Sequence, residues 1–180
     1  MMGKRGRARR VRMILADVDG TLTDGSLTPY PDGEEIKSFN TKDGLGVLIA
    51  QLAGLKVGFI TGKNSKGLEE RASRLRIDEL RQGVIDKMPV FREILGKYGL
   101  RPEEIAYIGD DLNDLDVLEA SGLSAAPADA VPIVRKRVDF VCRRRGGDGA
   151  FRELVDFILG TQKKWGVVKD RFSELFDRKI

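Results

Sequence analysis

The 180-residue chain contains no histidine and a single cysteine, Cys142. Without histidine, imidazole is excluded as a base, a nucleophile's partner or a metal ligand, so carboxylates and lysines must carry any chemistry. One cysteine rules out an intrachain disulfide and agrees with a reducing compartment. No window approaches the ~20 consecutive apolar residues that a membrane span needs. The apolar run that follows the first basic residues is too short for the core of an export signal. Aromatics are also sparse, at 7%. None is interleaved with Lys4, Arg5, Arg7, Arg9, Arg10 and Arg12, so this basic segment lacks the stacking groups that single-stranded nucleic acid requires. Despite a net charge of +4 and a pI near 9.2, the chain therefore reads as a cytoplasmic protein with no membrane and no nucleic-acid partner. Residues 1–10 read as a flexible basic arm.

What is present describes one soluble domain: 41% apolar and 33% charged residues, enough chain to bury a core. Apolar runs at Val11–Ala16, Val57–Ile60 and Ile105–Ile108 predict core strands, with weaker strands expected over Leu80–Ile85, Leu123–Ala126 and Phe140–Cys142. Between them, helical spacing recurs at Leu45, Leu48, Ile49 and Leu52, then at Leu68, Ala72 and Leu75, at Phe91, Ile94, Leu95 and Tyr98, and at Phe151, Leu154, Val155 and Ile158. Alternation of this kind predicts an α/β fold in three layers, with a mostly parallel central sheet covered on both faces. Pro31-Asp32-Gly33, flanked by Ser26–Tyr30 and Glu34–Phe39, predicts a β-hairpin insertion. The single domain spans 11–160, and the tail 161–180, with Trp165, Val168, Phe172, Leu175 and Phe176, reads as an amphipathic helix packed on protein.

Asp17-Val18-Asp19-Gly20-Thr21 closes the first strand. Residues two apart in an extended chain share a side, so Asp17 and Asp19 face one pocket unless the chain turns between them. Two like charges so close need a reason, and Mg2+, a hard cation that takes oxygen ligands, supplies one; turns and helix caps also collect acids. The second and third core strands likewise end in polar loops, Thr61-Gly62 and Gly109-Asp110-Asp111-Leu112-Asn113-Asp114. In a parallel sheet the site lies beyond the carboxyl ends of the strands. Asp17, Asp19, Thr61, Asp110, Asp111 and Asp114 should thus converge on one crevice.

These motifs resemble those of the haloacid dehalogenase superfamily of phosphatases: DxDGT at Asp17–Thr21, a Thr after a strand at Thr61, a Lys ahead of a helix at Lys87, and GDDxxD at Gly109–Asp114. The resemblance implies a Rossmann-like fold, Mg2+ dependence and an aspartyl-phosphate intermediate. It implies Asp17 as nucleophile and metal ligand and Asp19 as acid and base, its backbone carbonyl also reaching the metal. Asp110 would complete the metal's protein ligands, with Asp111 and Asp114 in or just behind them. Thr61 and Lys87 would hold the phosphoryl group.

A narrower resemblance runs from Ile14 to Leu159. Asp24-Gly25, Asp32–Asn40, Asp43-Gly44, Ala128-Asp129-Ala130 and Gly146–Ala150 look like the 3-deoxy-D-manno-octulosonate 8-phosphate (KDO 8-phosphate) phosphatases, small enzymes of the lipopolysaccharide sugar pathway. It implies the absence of a large cap domain, a homotetramer assembled through the hairpin, and a sugar-acid phosphate substrate. Gly62, Lys63, Lys87 and Arg152 are the expected substrate contacts, with Lys66, Arg71 and Arg74 as further cations for the sugar's carboxylate. Where that family usually has Arg after Thr-Gly, this chain has Lys63. A nine-carbon keto-acid 9-phosphate (2-keto-3-deoxynononate or N-acylneuraminate) therefore stands as an alternative substrate. A tetramerising scaffold without catalysis is the alternative from another class.

Overall fold

The computed structural model describes residues 3–29 and 35–177. In chain order the elements are α1 (Lys4–Ala8), β1 (Met13–Ala16), β2 (Thr28–Pro29), β3 (Glu35–Ile36), α2 (Thr41–Leu52), β4 (Lys56–Ile60), α3 (Lys66–Leu75), β5 (Glu79–Arg81), α4 (Lys87–Tyr98), β6 (Ile105–Ile108), α5 (Leu115–Ala120), β7 (Leu123–Ala126), α6 (Pro132–Arg135), β8 (Phe140–Val141), α7 (Ala150–Gln162) and α8 (Trp165–Asp177). Six strands form one sheet in the order β5-β4-β1-β6-β7-β8, every adjacent pair parallel. β1 lies at the centre, with Ala16 opposite Phe59 on one side and Ile108 on the other.

Side chains alternate across this sheet, as the two-residue period of a strand requires. Ile14 and Ala16 face a core shared with α2, α3, α7 and α8, whereas Met13 and Leu15 face one shared with α4, α5 and α6. Both faces are covered, which accounts for strands that are apolar throughout. Among the described residues the insertion after the first acidic loop is the small antiparallel pair β2–β3. The predicted turn Pro31-Asp32-Gly33 lies outside the described residues.

Three expectations are corrected. The N-terminal arm is not a flexible chain throughout: α1 packs its buried Ala8 against the core, and Arg7 pairs with Asp139 at 3.3 Å. Ala8 and Val11 supply the apolar anchor that the run of arginines conceals. The strand expected over Leu80–Ile85 stops at Arg81, because Gly83 turns the chain with φ +67 and Ile85 is left exposed. On α2 the buried face is Val47, Ile49 and Ala50 with Gly44 and Gly46, while Leu45 is exposed. Helix α7 crosses here so closely that a Cβ on Gly46 would lie 3.3 Å from the Arg152 Cα, so small residues rather than leucines line the crossing.

Among the described residues the tail forms α8, with Trp165 and Leu175 of its apolar stripe left exposed. Val168 is buried in the α2–α7 core, and Arg171 donates to the Leu52 carbonyl at 2.7 Å. No described helix is long and apolar enough to cross a membrane.

Candidate active site

Three parallel strands deliver the acidic loops to one end of the sheet. Asp17 continues the ladder beyond β1, its N–H donating to the Ile108 carbonyl at 3.0 Å. The chain then turns on Val18, whose carbonyl accepts from Leu22 at 2.9 Å and Thr23 at 3.0 Å. Gly20 sits at φ +94, and a Cβ there would lie 2.2 Å from Asp110 Oδ2, so the first motif needs glycine both for its backbone angle and to let Asp110 approach. A second close approach comes from the glycine-rich turn before α7: a Cβ on Gly146 would lie 1.9 Å from the Gly20 carbonyl oxygen. That turn therefore backs the first motif directly.

After β6 the chain folds back on Asp114. Its Oδ2 accepts from the backbone of Asp110 at 3.1 Å and of Asp111 at 3.4 Å, and its Oδ1 accepts from the Tyr107 hydroxyl at 2.6 Å and the Lys87 ammonium at 2.7 Å. Lys87 is the first residue of α4, whose N-cap Asp86 accepts from Met88 at 3.1 Å. Its buried ammonium also bonds Asp17 Oδ1 at 2.5 Å and lies 3.3 Å from the Tyr107 oxygen. Thr21 donates to Asp110 Oδ1 at 3.0 Å. Asp17, Asp110, Asp114 and Lys87 thus meet in one cluster, as expected. Asp19 turns away to a neighbouring group: Thr61 donates to its Oδ2 at 3.2 Å, and Lys37 pairs with its Oδ1.

Burial and charge set the electrostatics. Desolvation, followed by the charge of Asp114, pushes Asp17 up to about 8 against the opposing pull of Lys87. Burial and then Asp114 push Asp110 up to about 6. For Lys87, burial works against the charged form, yet the two carboxylates beside it overcome this and raise its pKa. Burial and Asp114 likewise raise Tyr107 well above the usual phenol range, so it remains a hydrogen-bond donor.

A divalent cation fits this donor set. One carboxylate oxygen from each of Asp17, Asp110 and Asp114 lies within 4.8 Å of the others. Both oxygens of Asp114 are already engaged by four donors, so the open capacity belongs to Asp17 and Asp110, the two groups whose ionised forms are disfavoured by burial. Hard oxygen donors of this kind suit Mg2+.

A pH dependence follows. Folded Asp17, near 8, lies far above its unfolded value near 3.8, so between these limits the folded chain binds more protons than the unfolded one. Stability present at low pH is therefore lost as pH rises toward about 8. The melting temperature of metal-free protein is expected to fall from about pH 6 to about pH 8, and Mg2+ to raise it more at the higher pH, where the carboxyls ionise readily. Melting curves at the two pH values, with and without Mg2+, check this; a metal-free curve that rises over the interval would contradict it.

The remaining expected contacts are placed less centrally. Gly62 follows Thr61 at the end of β4, and Lys63 pairs with Glu35 of β3 at 2.9 Å. The guanidinium of Arg152 is tied along its own helix to Asp156 at 2.7 Å and its backbone donates to Asp43 at 2.9 Å, and both of these partners lie outside the acidic cluster. Asp111 is exposed and accepts from Leu112, which makes it a cap of the turn to α5. Sequence reasoning missed Tyr107, Thr21 and Lys37. Tyr107 carried a usable signal, since a tyrosine inside a buried strand must find a partner for its hydroxyl.

Residues 77–154 match the profile of haloacid dehalogenase-like hydrolases. The chain is 43% identical over 158 residues, 88% of its length and 84% of the relative's, to KDO 8-phosphate phosphatase KdsC of Escherichia coli strain K12. The chain belongs to the KDO 8-phosphate phosphatase family of haloacid dehalogenase-like hydrolases. The KdsC-family enzyme of Yersinia pestis has a crystal structure that superposes with a TM-score of 0.87 at 42% identity, covering 89% of this chain and 87% of that one. Another member, from Moraxella catarrhalis, was crystallised with a magnesium ion, a phosphate ion and KDO; it superposes with a TM-score of 0.89 at 32% identity, covering 93% of this chain and 97% of that one. The parallel six-stranded sheet flanked by helices is thus the fold of this family.

Proposed function

We propose that the protein is a Mg2+-dependent phosphatase that hydrolyses KDO 8-phosphate to KDO and phosphate through an aspartyl-phosphate on Asp17. The observation that carries this reading is the buried Lys87 ammonium bridging Asp17 and Asp114 beside Asp110, at the carboxyl ends of β1 and β6. Family membership supports the substrate class.

Asp17 Oδ1 is held by Lys87, which fixes the carboxylate and leaves Oδ2 to act as nucleophile. Thr61 and Lys87 bind the phosphoryl oxygens, with Lys87 supplying charge in a site too buried for water to screen it. Asp19 donates a proton to the leaving sugar oxygen and then takes one from the water that hydrolyses the acyl phosphate. Asp17, Asp110 and the Asp19 backbone carbonyl would hold the metal, which neutralises phosphoryl charge when bound. Asp114 orients Lys87 and the Asp110 loop from behind, and Asp111 caps the turn that follows it. Gly62 and Lys63, beyond the end of β4, border the pocket mouth for the sugar acid, whereas the Arg152 guanidinium stays on Asp156. Leu27 and Ile36, both about half exposed on the hairpin, offer an apolar face for assembly into a homotetramer.

The test is phosphate release from a panel of sugar phosphates with and without Mg2+, including the eight-carbon and nine-carbon keto-acid phosphates. Metal-dependent release selective for KDO 8-phosphate is the expected result. Selectivity for a nine-carbon acid would move the substrate, and no release from any of them would leave the scaffold as the leading account.

A further inference from the structure

Just after the hairpin strand β3, a second, unexpected cation reaches the site. The Lys37 side chain is only 3% exposed, and its ammonium pairs with Asp19 Oδ1 while lying 4.0 Å from Glu35 Oε2. Glu35 in turn holds Lys63 at 2.9 Å. With Thr61 on Oδ2, both oxygens of Asp19 are fixed. A lysine this deeply buried costs stability unless its charge is matched, and a hairpin needs no buried lysine to fold, so its placement on Asp19 calls for a reason in the chemistry.

Resting on the phosphatase reading above, we propose that Lys37 is a positioning residue for Asp19, aiming its carboxyl group at the leaving oxygen and matching the charge left when the proton has gone. In the transfer step the bond from phosphorus to the sugar oxygen breaks, a bond from phosphorus to Asp17 Oδ2 forms, and the Asp19 proton passes to the sugar oxygen. Asp19 ends as a carboxylate, and the ammonium of Lys37 stands ready beside it. The electron pair of the broken bond stays on the sugar oxygen and is neutralised by that proton. Because the cation comes from the hairpin, the docking of β3 onto the site becomes part of the proton-transfer machinery.

The consequence depends on the leaving group. An alkyl oxygen needs the proton, whereas a nitrophenolate leaves without it. In Lys37→Met, kcat on KDO 8-phosphate is expected to fall by about ten- to a hundredfold with KM little changed, since assistance by a general acid contributes about 10^2 to 10^4. On p-nitrophenyl phosphate the rate of the first burst of nitrophenolate, which needs no acid, is expected to stay within about twofold, and Lys37→Arg to restore most of the loss on the sugar substrate. A nitrophenolate burst slowed as much as turnover of the sugar substrate, a rise in KM alone, or an unchanged kcat on the sugar substrate in Lys37→Met would overturn the proposal. Should Lys37→Met fail to fold, Lys37→Gln read on the same two substrates decides in the same way. A wild-type protein inactive on both substrates would instead refute the phosphatase reading and is distinguished by that control.

Discussion

Asp17→Asn is expected to abolish phosphate release while leaving the fold intact or stabilised. Asparagine matches the shape of aspartate, so Lys87 can still donate to the side-chain oxygen, but a neutral amide neither attacks phosphorus nor offers an anionic ligand to a metal. Removing the nucleophile of a covalent mechanism costs on the order of 10^4- to 10^6-fold in kcat. The stability effect has the opposite sign. Burial and the charge of Asp114 work against ionised Asp17, so replacing it removes an unfavourable group from metal-free protein. The variant should therefore melt no lower than wild type without metal, lose the decline from about pH 6 to about pH 8, and gain little from Mg2+. Phosphate release measured beside melting curves reads all three effects. Turnover within tenfold of wild type would remove Asp17 from the mechanism.

Lys87→Met carries the second large effect, and here activity and stability fall together. Methionine fills a similar volume but leaves Asp17 and Asp114 facing each other in a buried site with their shared ammonium gone. Breaking a buried pair by removing one partner costs about 3–5 kcal/mol. For a chain of this length each kcal/mol lowers the melting temperature by about 2–4 °C, so a drop of roughly 6–20 °C is expected. Adding Asp114→Asn to Lys87→Met should recover part of the lost stability, because one of the two opposed carboxylates is then neutral, and should recover no activity. The pair of single variants and the double variant form a cycle that isolates the coupling. A Lys87→Met protein as stable as wild type would show that the carboxylates find another counter-charge.

The central sheet and the end-loop acids were legible in the sequence because each is a local pattern, whereas Lys87 was reached through the family resemblance. An apolar run ends in a polar loop, and periodicity marks the helices between. The features that escaped depend on tertiary contact. Arg5 to Arg10 look solvated until Ala8 and Val11 are seen buried. Leu80 to Ile85 read as one strand until Gly83 turns it. Lys37 lies 18 residues from Asp19 on a hairpin whose return path no pattern specifies. Arg152 has the charge expected of a sugar-acid contact, yet the chain commits its guanidinium to Asp156. Composition cannot rank one surface cation against another when the choice turns on which carboxylate is nearer.

The central position of β1 also bears on how the chain is made. Its two sheet neighbours, β4 and β6, lie far downstream, at Lys56–Ile60 and Ile105–Ile108. At synthesis rates of about 5–20 residues per second, on the order of ten seconds separates the emergence of Met13–Ala16 from that of its second partner. Until then this fully buried strand lacks at least one of its two partners on the ribosome. The basic residues just upstream and the two aspartates just downstream flank it with charge, which keeps such a segment soluble while it waits. The same aspartates that later gather at the site would thus serve the nascent chain first as guards against aggregation.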